Sequence, residues 1–165
     1  MAAVDIFLKL DGIPGDSTDA KHKGEIVLES FSWGETNTVS HLGTGTAGAG
    51  AGKVSFQDFH FTSRVSKASP KLLQACASGQ HIKDAVITLR KSNPQSETQF
   101  EFLFYKFDTV VITSVQDAGD TSAVPNESVS FAFAKVAVEL KEQTAAGGVG
   151  TSVTFAWDLA ANRKA

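Results

Sequence analysis

Residues 43–61 read GTGTAGAGAGKVSFQDFHF, and they decide between a nucleotide-binding α/β fold and an all-β one. Gly43, Gly45 and Gly48 satisfy G-x-G-x-x-G, and Gly52-Lys53 looks like the end of a phosphate-binding loop. A dinucleotide fingerprint must follow a strand and open a helix whose N-terminus faces the pyrophosphate. The segment after Lys53 is instead rich in aromatics and lacks a 3.6-residue period, which predicts a strand. The Walker pattern fails as well. Ala47 stands at its first glycine, and Val54 stands where a Ser or Thr would hold magnesium. The run is a glycine-rich loop leading into a strand, and no cofactor is expected on it.

Outward from this loop, strand signals dominate. VDIFLKL (4–10) alternates before breaking at Gly12, Pro14 and Gly15, and EIVLESFSWGE (25–35) follows. Within KVSFQDFHF (53–61) the apolar positions pass from Val54 and Phe56 to Phe59 and Phe61, a phase shift that predicts a bulge near Gln57-Asp58. DAVITLRK (84–91), QFEFLFYKFD (99–108), TVVITSVQ (109–116), SVSFAFAKVAVEL (128–140) and SVTFAWDL (152–159) complete the set. Several carry apolar residues on both faces, as strands of a closed barrel or packed sandwich do. Twelve Phe against one Tyr suit such a core, because Phe has no hydroxyl to satisfy.

One helix is predicted, in KASPKLLQACASGQ (67–80). Ser69 is the expected N-cap, Pro70 occupies the first turn and Gly79 ends the helix. Leu72, Leu73 and Cys76 give its apolar face, which would plug a barrel end or cover a sheet edge. The expected fold is mainly β: one compact β-barrel domain of two packed antiparallel sheets over residues 1–165, with one short α-helix and a long Gly-rich loop.

Composition narrows the function. Across 165 residues the charged fraction is 20%, the hydrophobic fraction 42% and the net charge −3, ordinary for a globular chain and unlike a nucleic-acid binder. No apolar run approaches the ~18 residues of a transmembrane helix, so no membrane insertion is expected. MAAVDIFLKLDG lacks a basic n-region and is not read as a cleaved signal peptide. The single cysteine, Cys76, allows no intramolecular disulfide, so folding is expected in a reducing compartment.

Catalytic signals are missing. His22, His41, His60 and His81 are scattered, without an H-x-x-x-H pair or a cysteine cluster, and read as surface or hydrogen-bonded side chains rather than metal ligands. There is no G-x-S-x-G elbow to mark a nucleophile, and Cys76 on an apolar helix face reads as a small hydrophobe. Asn126-Glu127-Ser128 is a sequon without a secretory context. A structural or binding protein is expected, not an enzyme.

Five stretches, in order, resemble the haemolysin-coregulated protein (Hcp) family: VDIFLKLDGIPGDSTDAKHKGEI (4–26), SFSWG (30–34), GAGAGKVSFQDFHF (48–61), KASPKLLQACASGQHI (67–82) and EQTAAGGVGTSVTFAWDLAANRK (142–164). Phe31 replaces the first tryptophan of the family's Trp-Ser-Trp-Gly, Asp16 replaces a Glu, and SNPQSETQFEF (92–102) replaces a shorter hairpin. The resemblance implies a subunit like a phage tail tube's, forming homohexameric rings that stack into the inner tube of a type VI secretion machine. Its implied partners are a spike protein at the tip, a contractile sheath and small secreted effectors carried in the lumen. It implies assembly in the bacterial cytoplasm and export without a cleaved signal. A lipocalin-like small-ligand barrel is the alternative.

Two sets of residues follow as candidates. In SFSWG, Phe31 and Trp33 share one face, expected in the core with Trp157, while Ser30 and Ser32 share the other, expected to line the lumen and touch cargo. The competing reading is that Ser32 merely faces solvent elsewhere. Leu42, Gly43, Thr44, Gly45, Thr46, Gly48, Gly50 and Gly52 are the ring-stacking candidates, since small residues let a backbone lie close against a neighbour. The competing reading is a floppy surface loop.

Overall fold

Alternation of apolar and polar residues builds nearly all of the structure, a computed structural model that describes residues 4–38, 53–92 and 99–165. Along the chain run β1 (Val4–Leu10), β2 (Ile26–Ser32), β3 (Glu35–Asn37), β4 (Val54–Phe56), β5 (Phe59–Arg64) and the helix α1 (Ser69–Ser78). Then follow β6 (His81–Ser92), β7 (Gln99–Ala118), β8 (Asn126–Gln143), β9 (Val149–Asp158) and β10 (Arg163–Lys164). Six strands pair antiparallel in the order β8-β5-β2-β1-β6-β7, and β7 returns to β8, which closes a barrel. The strand β8 is long enough to serve two neighbours on one side: its first part pairs β5 and its last part pairs β9. Strand β10 adds to β9, while β3 and β4 form a separate two-stranded sheet.

Several sequence expectations change. The bulge expected at Gln57-Asp58 is a break at which the chain leaves the small sheet and enters the barrel. The stretch 25–35 breaks at the matching place, after Ser32. Hydrogen bonds tie the two corners, from the Gln57 amide to the Gly34 carbonyl (3.0 Å) and from Trp33 Nε1 to the Gln57 carbonyl (3.1 Å). Residues 99–108 and 109–116, in contrast, join in one strand. Thr109 marks the junction with φ of 54°, a left-handed conformation that a β-branched residue rarely adopts.

The barrel is filled by rings. Phe59, Phe61, Phe107 and Phe131 are fully buried, with the ring centroids of Phe59 at 5.2 Å from Phe107 and 5.1 Å from Phe131. That packing takes the space a lipocalin-like ligand chamber would need, which removes that alternative. Helix α1 packs on β7, burying Leu72 and Ala75 while Leu73 stays 46% exposed and Cys76 is half-buried. Ser69 is not its N-cap. Ala68 holds that position, and the Ser69 hydroxyl is engaged elsewhere, accepting from the Ser66 amide (3.0 Å) and donating to Glu127 (3.0 Å). Gly79 ends the helix at φ of 65°, as its lack of a Cβ permits.

Candidate functional site: a hydroxyl-lined barrel wall

Strict alternation along IVLESFS would place Ser30 and Ser32 on the side of Ile26 and Leu28, inside the barrel. A register shift between Leu28 and Ser30 against β5 prevents this. The extra residue, Glu29, is turned outward to Arg64 (2.8 Å), so Leu28 and Phe31 both point inward and the two serines point out. One bulge thus converts an apolar strand start into a polar outer surface.

The pairing carries that surface across four strands. Ser30 lies opposite Thr62, Thr62 opposite Ser128, and Ser128 opposite Gln116. One step along, Ser32 lies opposite His60, His60 opposite Ser130, and Ser130 opposite Ser114. Directly paired residues share a face, and strands lie about 4.8 Å apart, so these two rows form a strip roughly 14 Å wide. Within it Ser30 Oγ is 2.6 Å from Thr62 Oγ1, and His60 Nδ1 is 3.0 Å from Ser130 Oγ. The opposite side of the same strands reads Phe31–Phe61–Val129–Val115, the filled interior.

Chemically the strip is a row of short hydroxyls with an amide and an imidazole. Each hydroxyl both donates and accepts, and none carries a charge. Charged groups sit only at its ends, Glu29 with Arg64 at one and Asp58, which accepts from Thr113 Oγ1 (2.7 Å), at the other. Such a surface can take up and release many polar partners, and the His60–Ser130 contact is the one place on it where a hydroxyl meets an imidazole. Among the described residues no group of three or more His, Cys, Asp or Glu is arranged to hold a metal.

Further round the outside of the barrel, over β1 and β6, the wall is covered. The segment 14–25 folds back on itself through amide bonds from Gly15 to the Gly24 carbonyl and from Gly24 to the Ser17 carbonyl, both 2.8 Å. A Cβ at Gly15 would stand 2.5 Å from the Glu25 carbonyl, so only glycine fits that turn. Beneath it His22 stacks on Phe7 with centroids 4.3 Å apart, Nδ1 3.0 Å from Glu25 and Nε2 2.7 Å from Glu101. Arg90, 3% exposed, clamps both Asp19 oxygens (3.0 and 2.7 Å) and one of Asp5 (3.0 Å). Hydrogen bonding from Arg90 holds the Asp19 carboxyl far below the usual carboxylate range. The same bond pushes the guanidinium up.

The structure places Ser30 and Ser32 together, exposed on the strip. Phe31, Trp33 and Trp157 are half-buried and pack against the core from its margin, Trp33 edge-on to Phe107 and Phe133. Among the described residues the Trp157 indole nitrogen has no hydrogen-bond partner. Leu42, Gly43, Thr44, Gly45, Thr46, Gly48, Gly50 and Gly52 lie outside the described residues. Reading the sequence alone missed Thr62, Ser114, Gln116, Ser128 and Ser130 as companions of the two serines. Their signal was an alternation of polar and large apolar residues in 59–62 and 128–131, which becomes a surface only once register is known.

The family model described as Type VI secretion system effector, Hcp, matches residues 7–140. The chain belongs to this family. Protein hcp1 of Pseudomonas aeruginosa is 37% identical over 165 residues, covering 99% of each chain. A solved type six secretion system protein superposes with a TM-score of 0.88 at 32% identity, over 99% of this chain and 100% of that one. Hcp1 from Salmonella typhimurium does so at 0.77 and 31%, over 99% and 100%. Membership makes the protein a secreted structural component of type VI secretion and not an enzyme. Among the described residues no helix is long and apolar enough to cross a membrane.

Proposed function

We propose that the protein is the inner-tube subunit of a type VI secretion machine, with residues 1–165 acting as one domain. Six copies close a ring, and the hydroxyl strip of β2, β5, β8 and β7 faces its lumen. Rings stack through the glycine-rich segment containing Leu42 to Gly52 inside a contractile sheath, below a spike protein. Small effectors ride in the lumen against Ser30 and Ser32, and the protein leaves the bacterial cytoplasm with them.

The observation that carries this reading is the strip itself. A conduit wall must neither grip by large apolar contact nor trap charge, and a four-strand row of short neutral hydroxyls does neither. Negative-stain images of the purified protein are expected to show rings of six, and a monomer at micromolar concentration by light scattering would sink the proposal. Ser32→Gln should keep the ring and alter effector retention. Replacing residues 43–50 by a two-residue turn should keep the ring and weaken stacking and secretion.

A further inference from the structure

The segment 14–25 is tied to the barrel by two fasteners of different chemistry. One is permanent: Arg90 clamps Asp19, and a guanidinium does not give up its charge in a folded protein. The other is His22, 7% exposed, whose ring bridges two carboxylates. Nδ1 lies 3.0 Å from Glu25 in its own segment, and Nε2 lies 2.7 Å from Glu101 on β7. A neutral imidazole has one N–H and one bare nitrogen, while an ionised carboxylate can only accept. Two carboxylates, one at each nitrogen, are both satisfied only when both nitrogens donate, as in the imidazolium ion.

The surroundings favour that charge. From β1, Phe7 presents its ring face to His22, stacked at 8°, and an aromatic face attracts cations. The Asp19 carboxylate accepts from the His22 backbone amide (3.2 Å) and from Arg90 on β6, which also holds Asp5 on β1. Asp5, Asp19, Glu25 and Glu101 thus share one fixed cation. Lys21 and Lys23 flank His22 but are exposed, and among the described residues neither pairs with these carboxylates.

We propose that His22 is a doubly donating imidazolium, and that its proton is a releasable fastener: residues 20–25 come away from the wall as pH rises, while Asp19 stays tied to Arg90. Whichever nitrogen keeps its hydrogen after deprotonation, the other aims a lone pair at a carboxylate. A ring that holds its proton more tightly folded than unfolded adds stability on the acid side, and that stability is lost as pH rises. The fastener is therefore complete below about 6.5, the value of a free histidine, and weakens above it.

The test is trypsin cleavage after Lys21 and Lys23 in the full-length protein, read by mass spectrometry at about pH 6 and about pH 9. Rates are divided by those of a free peptide of residues 17–27, which removes the protease's own pH dependence. The corrected wild-type rate should rise by a factor on the order of ten, the equivalent of one charge-assisted hydrogen bond. His22→Gln keeps a donor for Glu101 and has no charge to lose, so its corrected rate should not change with pH. A wild-type rate that stays flat, or a variant that rises in parallel, would overturn the fastener. If the variant fails to fold, nitrogen-15 NMR of the wild-type His22 ring at about pH 7 decides. Two hydrogen-bearing nitrogens support the imidazolium, and one bare nitrogen refutes it.

Discussion

Two parts of the barrel's outer wall solve opposite problems with polar residues. Over β2, β5, β8 and β7 the wall is open and carries short neutral hydroxyls, hydrogen-bonded in pairs across the strands. Over β1 and β6 it is covered by residues 14–25 and carries full charges: Arg90 between Asp19 and Asp5, and His22 between Glu25 and Glu101. A hydroxyl on an open sheet keeps its solvation and needs no partner. A guanidinium 3% exposed has lost its water, and it is tolerable only because three carboxylate oxygens replace it. The open wall is therefore free to meet something transient, while the covered wall is committed to holding its own segment down.

The harshest way to break the comparison is Arg90→Met. It leaves Asp19 and Asp5 under the cover without their cation, and breaking a buried pair of this kind costs about 3–5 kcal/mol. Urea unfolding at neutral pH checks this, and a loss below about 1 kcal/mol would mean the cluster is solvated after all. The acid limb should respond too. The Asp19 carboxyl is held below its ordinary 3.8, so its contribution is complete above that value and disappears as pH falls beneath it. Arg90→Met should flatten that limb.

Trp33→Ala strikes beneath the open wall. Trp33 is half-buried at the corner where the chain changes sheets, stacked on Phe56 (6.1 Å) and edge-on to Tyr105, Phe107 and Phe133. Its loss should cost about 3 kcal/mol, read as a lower thermal midpoint. Under the cover, Thr88→Gln is the next in size. Thr88 is 5% exposed opposite Phe7, the ring on which His22 and Arg90 both rest. Two extra heavy atoms there should cost about 2 kcal/mol by overpacking, measured by the same unfolding experiment.

Much of the barrel was legible because its strands keep a period of two, as in 4–10 and 128–140, and because Gly79 and Pro70 bracket the helix. What was not legible depends on partners distant in the chain. The bulge that turns Ser30 and Ser32 outward is defined by pairing with β5, thirty residues away, and no local property of Glu29 announces it. Ser69 looks like a cap because serine usually is one, but the buried Glu127 carboxyl on β8 competes for its hydroxyl. Thr109 is the clearest case, since nothing in FDTVV suggests a left-handed residue. Thr109→Gly should therefore stabilise the fold by about 1 kcal/mol, and an unchanged or lower midpoint would show that the surrounding ladders already absorb the strain.

The smallest expected effect is the most informative for function. Ser32→Gln adds the same kind of side chain as Thr88→Gln, on the same outward side of the same barrel, but on the uncovered wall. Ser32 is exposed at the end of β2, opposite His60, with no hydrogen bond of its own side chain among those of the strip. A longer amide there can extend into open space, so unfolding should change by less than about 0.5 kcal/mol. If both substitutions destabilise equally, the strip is covered in the native assembly and cannot be the free face of a channel. If Ser32→Gln leaves stability and ring formation untouched while the retention of at least one effector changes, the contact belongs to cargo. The energetic silence is what makes that change interpretable, because no loss of fold then competes to explain it.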